Sequence, residues 1–133
     1  MNIFELEQTL PNGFHDSLIH NIELDYKEKT AILTMSIDES DCSKNKPNKY
    51  KKIKLLLRGI QFFGIDLPDP GYPYLKDNAL WVDLSEIDKN ESQELFNQPK
   101  NVFMGRFFVI DWNSFINFAA EDAEIISNMK ALS

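Results

Sequence analysis

Alternation of apolar and polar residues with a period of two dominates this chain. From residue 18 on, Leu18, His20, Ile22, Leu24 and Tyr26 fall on one side, and Asn21, Glu23 and Asp25 on the other, with Ile19 the exception. Successive side chains of an extended backbone point to opposite faces, so this pattern predicts a half-buried strand. Lys27-Glu28-Lys29 is a short polar break. Alternation then resumes, with Ala31, Leu33, Met35 and Ile37 against Thr30, Thr34, Ser36 and Asp38. Two such runs across so short a gap predict an antiparallel hairpin. A third run sets Ile53, Leu55 and Leu57 against Lys52, Lys54 and Arg58, and Gly59 is placed to bend that strand so that 59–65 changes face. Shorter strands are predicted in ALWVDLSE and NVFMGRFFVID.

Between these runs the chain is punctuated. Asn12-Gly13 and Asp69-Pro70-Gly71 are turn signals, because their residues tolerate or fix the φ angles that turns require. Residues 38–49 are polar and aperiodic and read as a loop. Residues 85–99 hold at most a turn or two of helix, from a capping pattern at Asn90 and Gln93 to the stop at Pro99. The segment SFINFAAEDAEII reads both ways. Its alanines and glutamates favour a helix over 114–127, whereas its Phe-Ile-Asn-Phe start and hairpin context favour a strand. The strand is preferred here. The expected architecture is then mainly β, an antiparallel sandwich or curled sheet of about seven or eight strands with little helix. An α+β chain with a C-terminal helix at 114–127 is the alternative. Residues 1–133 are expected to form one domain, whose ten phenylalanines fill the space inside.

Charge changes the picture more than composition does. The net charge of −7 is distributed as −7 over residues 1–43, +7 over 44–65 and −7 over 66–133. An acidic total argues against nucleic acid as a partner, since binding there needs several phosphate-neutralising cations. It suits a basic protein partner. The single cysteine, Cys42, excludes an internal disulfide, and no apolar run is long enough for a signal peptide or a membrane span. These readings point to a cytoplasmic protein.

Candidate chemistry starts with His15, Asp16 and His20. Imidazole and carboxylate suit zinc or non-haem iron, and the three would serve a metal-dependent hydrolase. A plainer reading competes. His20 shares a strand face with Leu18, Ile22 and Leu24 and is expected to be a buried, hydrogen-bonded residue. Asp16 would accept backbone N–H groups at the turn before the strand, with the His15 ring fixing the Gly13–Phe14 corner. Cys42 lies between Asp41 and Ser43 among acids that disfavour a thiolate. The chain has no Gly-x-Ser-x-Gly elbow, phosphate-cradling loop or dinucleotide fingerprint, so no cofactor is expected. The run Lys44, Lys46, Lys49, Lys51, Lys52 and Lys54 reads as an anion patch or as protection of an exposed strand edge, and the second is preferred. Tyr72, Tyr74 and Trp81 would form a sugar platform, a protein contact or a cap on the core.

The stretch FHDSLIHNIELDY, followed by a second alternating strand, resembles the start of several small families of uncharacterised bacterial proteins. In them a Phe-His-Asp-small-x-Ile opening leads into a hairpin and a β-rich body. DWNSFINFAAEDAEI is similar to their closing hairpin. Some families of this type are predicted immunity proteins, which bind and neutralise a cognate toxin in the producing cell. The resemblance implies a β-rich binding protein and brings no catalytic residues with it. The leading expectation is therefore a non-enzymatic cytosolic binding protein of the immunity type with a basic partner such as a toxin. A metal-dependent hydrolase using His15, Asp16 and His20 is the alternative, and a carbohydrate-binding module using Tyr72, Tyr74 and Trp81 the second.

Overall fold

The computed structural model describes residues 1–41, 49–72, 79–87 and 101–126. A short helix, α1 (Ile3–Glu7), precedes eight strands: β1 (Ser17–Asp25), β2 (Thr30–Asp38), β3 (Tyr50–Arg58), β4 (Phe62–Ile65), β5 (Leu80–Glu86), β6 (Phe103–Val109), β7 (Ser114–Ala120) and β8 (Asp122–Ile126). All the ladders are antiparallel, and the strands form one sheet in the order β4-β7-β6-β5-β1-β2-β3-β8. The protein is mainly β with little helix, as its alternation predicts.

The segment that reads both ways is two strands. Phe115 to Ala120 lie between β6 and β4, and nearly all of them are buried. Pairing on both sides outweighs the modest helix preference of the alanines, because burial and cross-strand contacts exceed propensity differences of a few tenths of a kcal/mol. The helix α1 is absent from the alternation reading. Its signal was nevertheless present: the Asn2 side chain accepts from the Glu5 N–H at 2.8 Å while Glu5 accepts from the Asn2 N–H at 3.3 Å, a reciprocal cap. It buries Ile3 and Leu6.

β4 and β8 stand at opposite ends of the strand order, yet only Glu121 separates β7 from β8, and only 59–61 separate β3 from β4. The pairs Arg58↔Asp122 and Phe62↔Ala119 therefore belong to one bent ribbon, with three residues on one strand opposite two on the other. That count is a β-bulge, and it sits where the ribbon turns. Gly59 supplies the turn with φ +65, a conformation that costs glycine little. The covalent chain thus joins the two ends of the sheet. Beside the bulge, Asp122 receives the Met1 ammonium at 2.5 Å and the Arg58 guanidinium at 3.5 Å, and Arg58 also meets Glu124. The hydrogen bond from Met1 holds the Asp122 carboxyl below its ordinary range.

One core serves α1 and strands from β1 to β8. Phe14, Leu33, Ile53, Leu55, Phe107, Ile116 and Phe118 are fully enclosed in it. Phe107 lies edge-on to Phe14 at 6.0 Å and tilted against Phe118 at 5.6 Å. β2 follows the predicted alternation without a break, with Ala31, Leu33, Met35 and Ile37 inward.

β1 does not. Its register against β2 slips between Ile19 and Asn21, so the inward positions are Ser17 and Ile19, then Ile22 after the slip. A bulge shifts every later side chain by one position relative to the partner strand. His20 consequently stands exposed on the outer face, correcting the expectation of a buried histidine beside Leu18, Ile22 and Leu24. No helix among the described residues is long and apolar enough to cross a membrane.

Candidate functional site

The turn that leads into β1 is built from its own residues and one acid brought from far away. Gly13 takes φ +58, and Glu7 packs so close that an added Cβ would lie 2.7 Å from its Cγ. Glu7 also accepts the Phe14 N–H at 3.2 Å, and the buried Ser17 hydroxyl donates to the Phe14 carbonyl at 2.8 Å. These bonds seat the Phe14 ring in the core and turn His15 and Asp16 outward. Asp16 itself is left-handed, with φ 53.

The partner is Asp83. β5 pairs with β1 through Ser17↔Val82, which places Asp83 one residue further on, beside the turn. Its Oδ1 accepts the Asp16 N–H at 2.8 Å and faces His15 Nδ1 at 2.9 Å. His15 Nε2 lies 3.4 Å from Asp16 Oδ2. Each ring nitrogen of His15 thus meets a different carboxylate. These contacts are ion pairs only while the imidazole carries both protons.

Around this cluster lies an aromatic edge. Tyr50 opens β3 opposite Asp38, and its hydroxyl donates to the Asp16 carbonyl at 3.4 Å. Its ring meets Trp81 edge-on at 6.2 Å. Partial burial, then the nearby Asp38 and Asp16 carboxylates, push the Tyr50 hydroxyl above its ordinary pKa. Asn12 ties the same rim together by donating to the carbonyls of Asp38 and Ser40 at 3.1 and 3.0 Å. The result is a surface ledge carrying His15, Asp16, Asp38 and Asp83, with Tyr50 and Trp81 as its apolar part and with Asp38, Asp83 and Trp81 half-buried.

The proposed trio of His15, Asp16 and His20 is not brought together. His15 and Asp16 are joined by Asp83, while His20 lies on the outer sheet face with Nε2 2.7 Å from the Ser36 hydroxyl. Burial and then the Lys52 ammonium hold the His20 pKa below that of an ordinary histidine. The expected role of Asp16 as acceptor also moves. Asp83 takes the backbone N–H of the turn, and Asp16 supplies a left-handed backbone. Asp83 was readable only as an acid inside a short strand, an unfavourable place for it.

Two substitutions separate backbone from carboxylate. Left-handed backbone costs a residue with a Cβ roughly 1–2 kcal/mol, and Asp and Asn tolerate it better than most. Asp16→Ala is expected to lose about 1 kcal/mol while Asp16→Gly recovers it. Asp83→Ala, which strands the turn's N–H, is expected to lose about 1–3 kcal/mol. Thermal unfolding in excess chelator measures all three. Equal losses from Asp16→Ala and Asp16→Gly would assign the effect to the missing carboxylate instead.

Of the remaining candidates, Tyr72 is exposed at the turn after Asp69, Trp81 stands on the ledge edge-on to Tyr50, and Tyr74 lies outside the described residues. The turn at Asp69 forms as predicted, with its carboxylate accepting the Gly71 N–H at 2.9 Å. Lys51 and Lys52 are exposed on the part of β3 that extends past β8, without a ladder partner on that side among the described residues. That position suits edge protection. Cys42, Lys44 and Lys46 lie outside the described residues, as does the 88–100 region. Comparison with family models, with curated proteins and with solved structures finds no match to this chain.

Proposed function

We propose that this chain is a non-enzymatic binding protein of the immunity type, which works in the bacterial cytoplasm by holding a basic protein partner against the ledge at the start of β1. The observation that carries this reading is the grouping of Asp16, Asp38 and Asp83 beside the edge-on pair of Tyr50 and Trp81. Protein interfaces draw most of their affinity from aromatic anchors such as Trp and Tyr, and complementary charge speeds encounter and selects the partner. The clamp by Asp83 fixes the ledge before binding, which limits the ordering cost of association.

The test pairs this chain with a basic, growth-inhibiting protein sought among its genomic neighbours. Co-expression should restore growth, and titration calorimetry should give a one-to-one complex. Asp16→Asn with Asp83→Asn keeps the side-chain shapes and an acceptor oxygen while removing two charges. It is expected to weaken the complex about tenfold, mostly through slower association at low salt. A complex that ignores both substitutions, or no complex at all, removes the ledge as the binding site.

A metal-dependent hydrolase remains a second reading on one observation. One ligand atom each from His15, Asp16 and Asp83 lies within 4.8 Å of the others. His15 meets Asp83 at 2.9 Å and Asp16 at 3.4 Å through different ring nitrogens, so a zinc held by one nitrogen together with both carboxylates would have to break one of these contacts. Metal analysis of tag-free protein, with His15→Ala alongside, distinguishes the two readings.

A further inference from the structure

The molecule carries a second feature, on the far part of β1, that owes nothing to the ledge. β4 stands last in the strand order and has β7 as its one ladder partner among the described residues. β1 past Ile19 pairs with β2 alone among the described residues, because its ladder to β5 stops there. These two open edges face each other across a groove. One hollow of about 380 Å³ has Leu24 and Tyr26 on one bank and Phe62 on the other. A second of about 310 Å³ has Ile22 opposite Ile65.

An open edge presents main-chain N–H and C=O groups that template another strand, and proteins ordinarily guard such edges with charge or proline. β4 itself, Phe-Phe-Gly-Ile, holds no charged residue and no proline. Phe62 and Ile65 are exposed on it, Leu67 follows at 90% exposure, and Tyr26 reaches 88% across the groove. A run of exposed apolar side chains of this kind marks an interaction site rather than ordinary surface. Asp25 and Lys29 line the first hollow, and among the exposed charges nearby in the chain acids outnumber bases: Glu23, Asp25, Glu28 and Asp66 against Lys27 and Lys29. Apolar groups among charges of net negative sign suit a segment that alternates apolar and basic residues, since an extended chain sends alternate side chains to opposite faces. A second copy of this chain would bring the same acids and a net charge of −7 to the contact.

We propose that the open edge of β4 receives an extended segment of a partner protein, alternating apolar and basic residues, which adds as a further strand. Main-chain hydrogen bonds would hold it, and the two hollows would select its apolar side chains. This surface is distinct from the ledge and requires neither His15 nor Asp83.

The probe is fluorescein-labelled Lys-Val-Lys-Val-Lys-Val-Lys, titrated with the full chain and followed by anisotropy. Saturable binding is expected, with slowed hydrogen exchange at the amides of Phe62 to Ile65. Ile65→Lys with Leu67→Lys changes two exposed side chains, so the variant should fold, and it is expected to bind about tenfold more weakly. The peptide N-methylated at alternate residues cannot complete the ladder and should bind weakly too. Equal binding of the N-methylated peptide would refute strand addition. Equal binding of Glu-Val-Glu-Val-Glu-Val-Glu would refute the charge argument. Failure to bind, whether because sedimentation shows paired copies or because those amides are already protected by the chain's own residues, would overturn the proposal.

Discussion

Phe107→Ala is expected to destabilise the fold by about 3–5 kcal/mol, the usual cost of removing a fully enclosed aromatic ring. Phe107 has no exposed surface, and its ring is the contact between Phe14, held by the turn before β1, and Phe118 on β7. Removing it empties the junction between the two parts of the chain that the sheet brings together. For a domain stable by roughly 5–15 kcal/mol, that loss is a large fraction of the total. Urea unfolding of wild type and variant provides the measurement, with an unchanged slope showing that only stability moved. A loss under about 1 kcal/mol would mean that the site collapses around the deletion or that the ring lies elsewhere.

Gly59→Ala is expected to cost about 2–3 kcal/mol, although it adds a single methyl group. The backbone there is left-handed at φ +65, which alone penalises a Cβ by roughly 1–2 kcal/mol. The new carbon would also lie 2.3 Å from a Glu121 carboxylate oxygen and 2.8 Å from its Cβ. Those contacts can be tested separately. Glu121→Gly removes the clash and leaves the φ penalty, so the double variant should lose less than the two single losses added together. Simple additivity would show that Glu121 swings away freely, leaving backbone conformation as the whole effect.

How much of this was legible depended on the range of the interaction. Alternation in β2 and β3 needs only neighbouring residues, and Leu33, Met35, Ile53 and Leu55 are buried as their spacing predicts. In β1 the same reasoning assigned His20 to the core, because a bulge leaves no mark in the alternation until the partner strand is known. Asp16 was recognised as special at its turn, but the acceptor that completes the turn is Asp83, 67 residues away. No local pattern announces a pairing between β1 and β5. Tyr50 stands between Lys49 and Lys51 in the chain, yet its ring belongs to the ledge with Trp81. The part of the candidate site written in the sequence is the turn itself. The part contributed by β3 and β5 exists only in the folded sheet.

The bent ribbon has a consequence for how the chain is made. A ribosome produces β3 well before β7 and β8, so the strand carrying Leu55, Leu56 and Leu57 waits unpaired along the side that β8 later covers. Sheets closed by such distant pairings assemble slowly, and their waiting edges are the surfaces on which nascent chains stick to one another. Lys49, Lys51, Lys52 and Lys54 stand at the leading end of that edge, where their mutual repulsion would hold neighbouring nascent chains apart. The positive block in an otherwise acidic chain would then act chiefly during synthesis, and neutralising it should lower the yield of soluble protein while leaving the melting temperature of the finished molecule nearly unchanged.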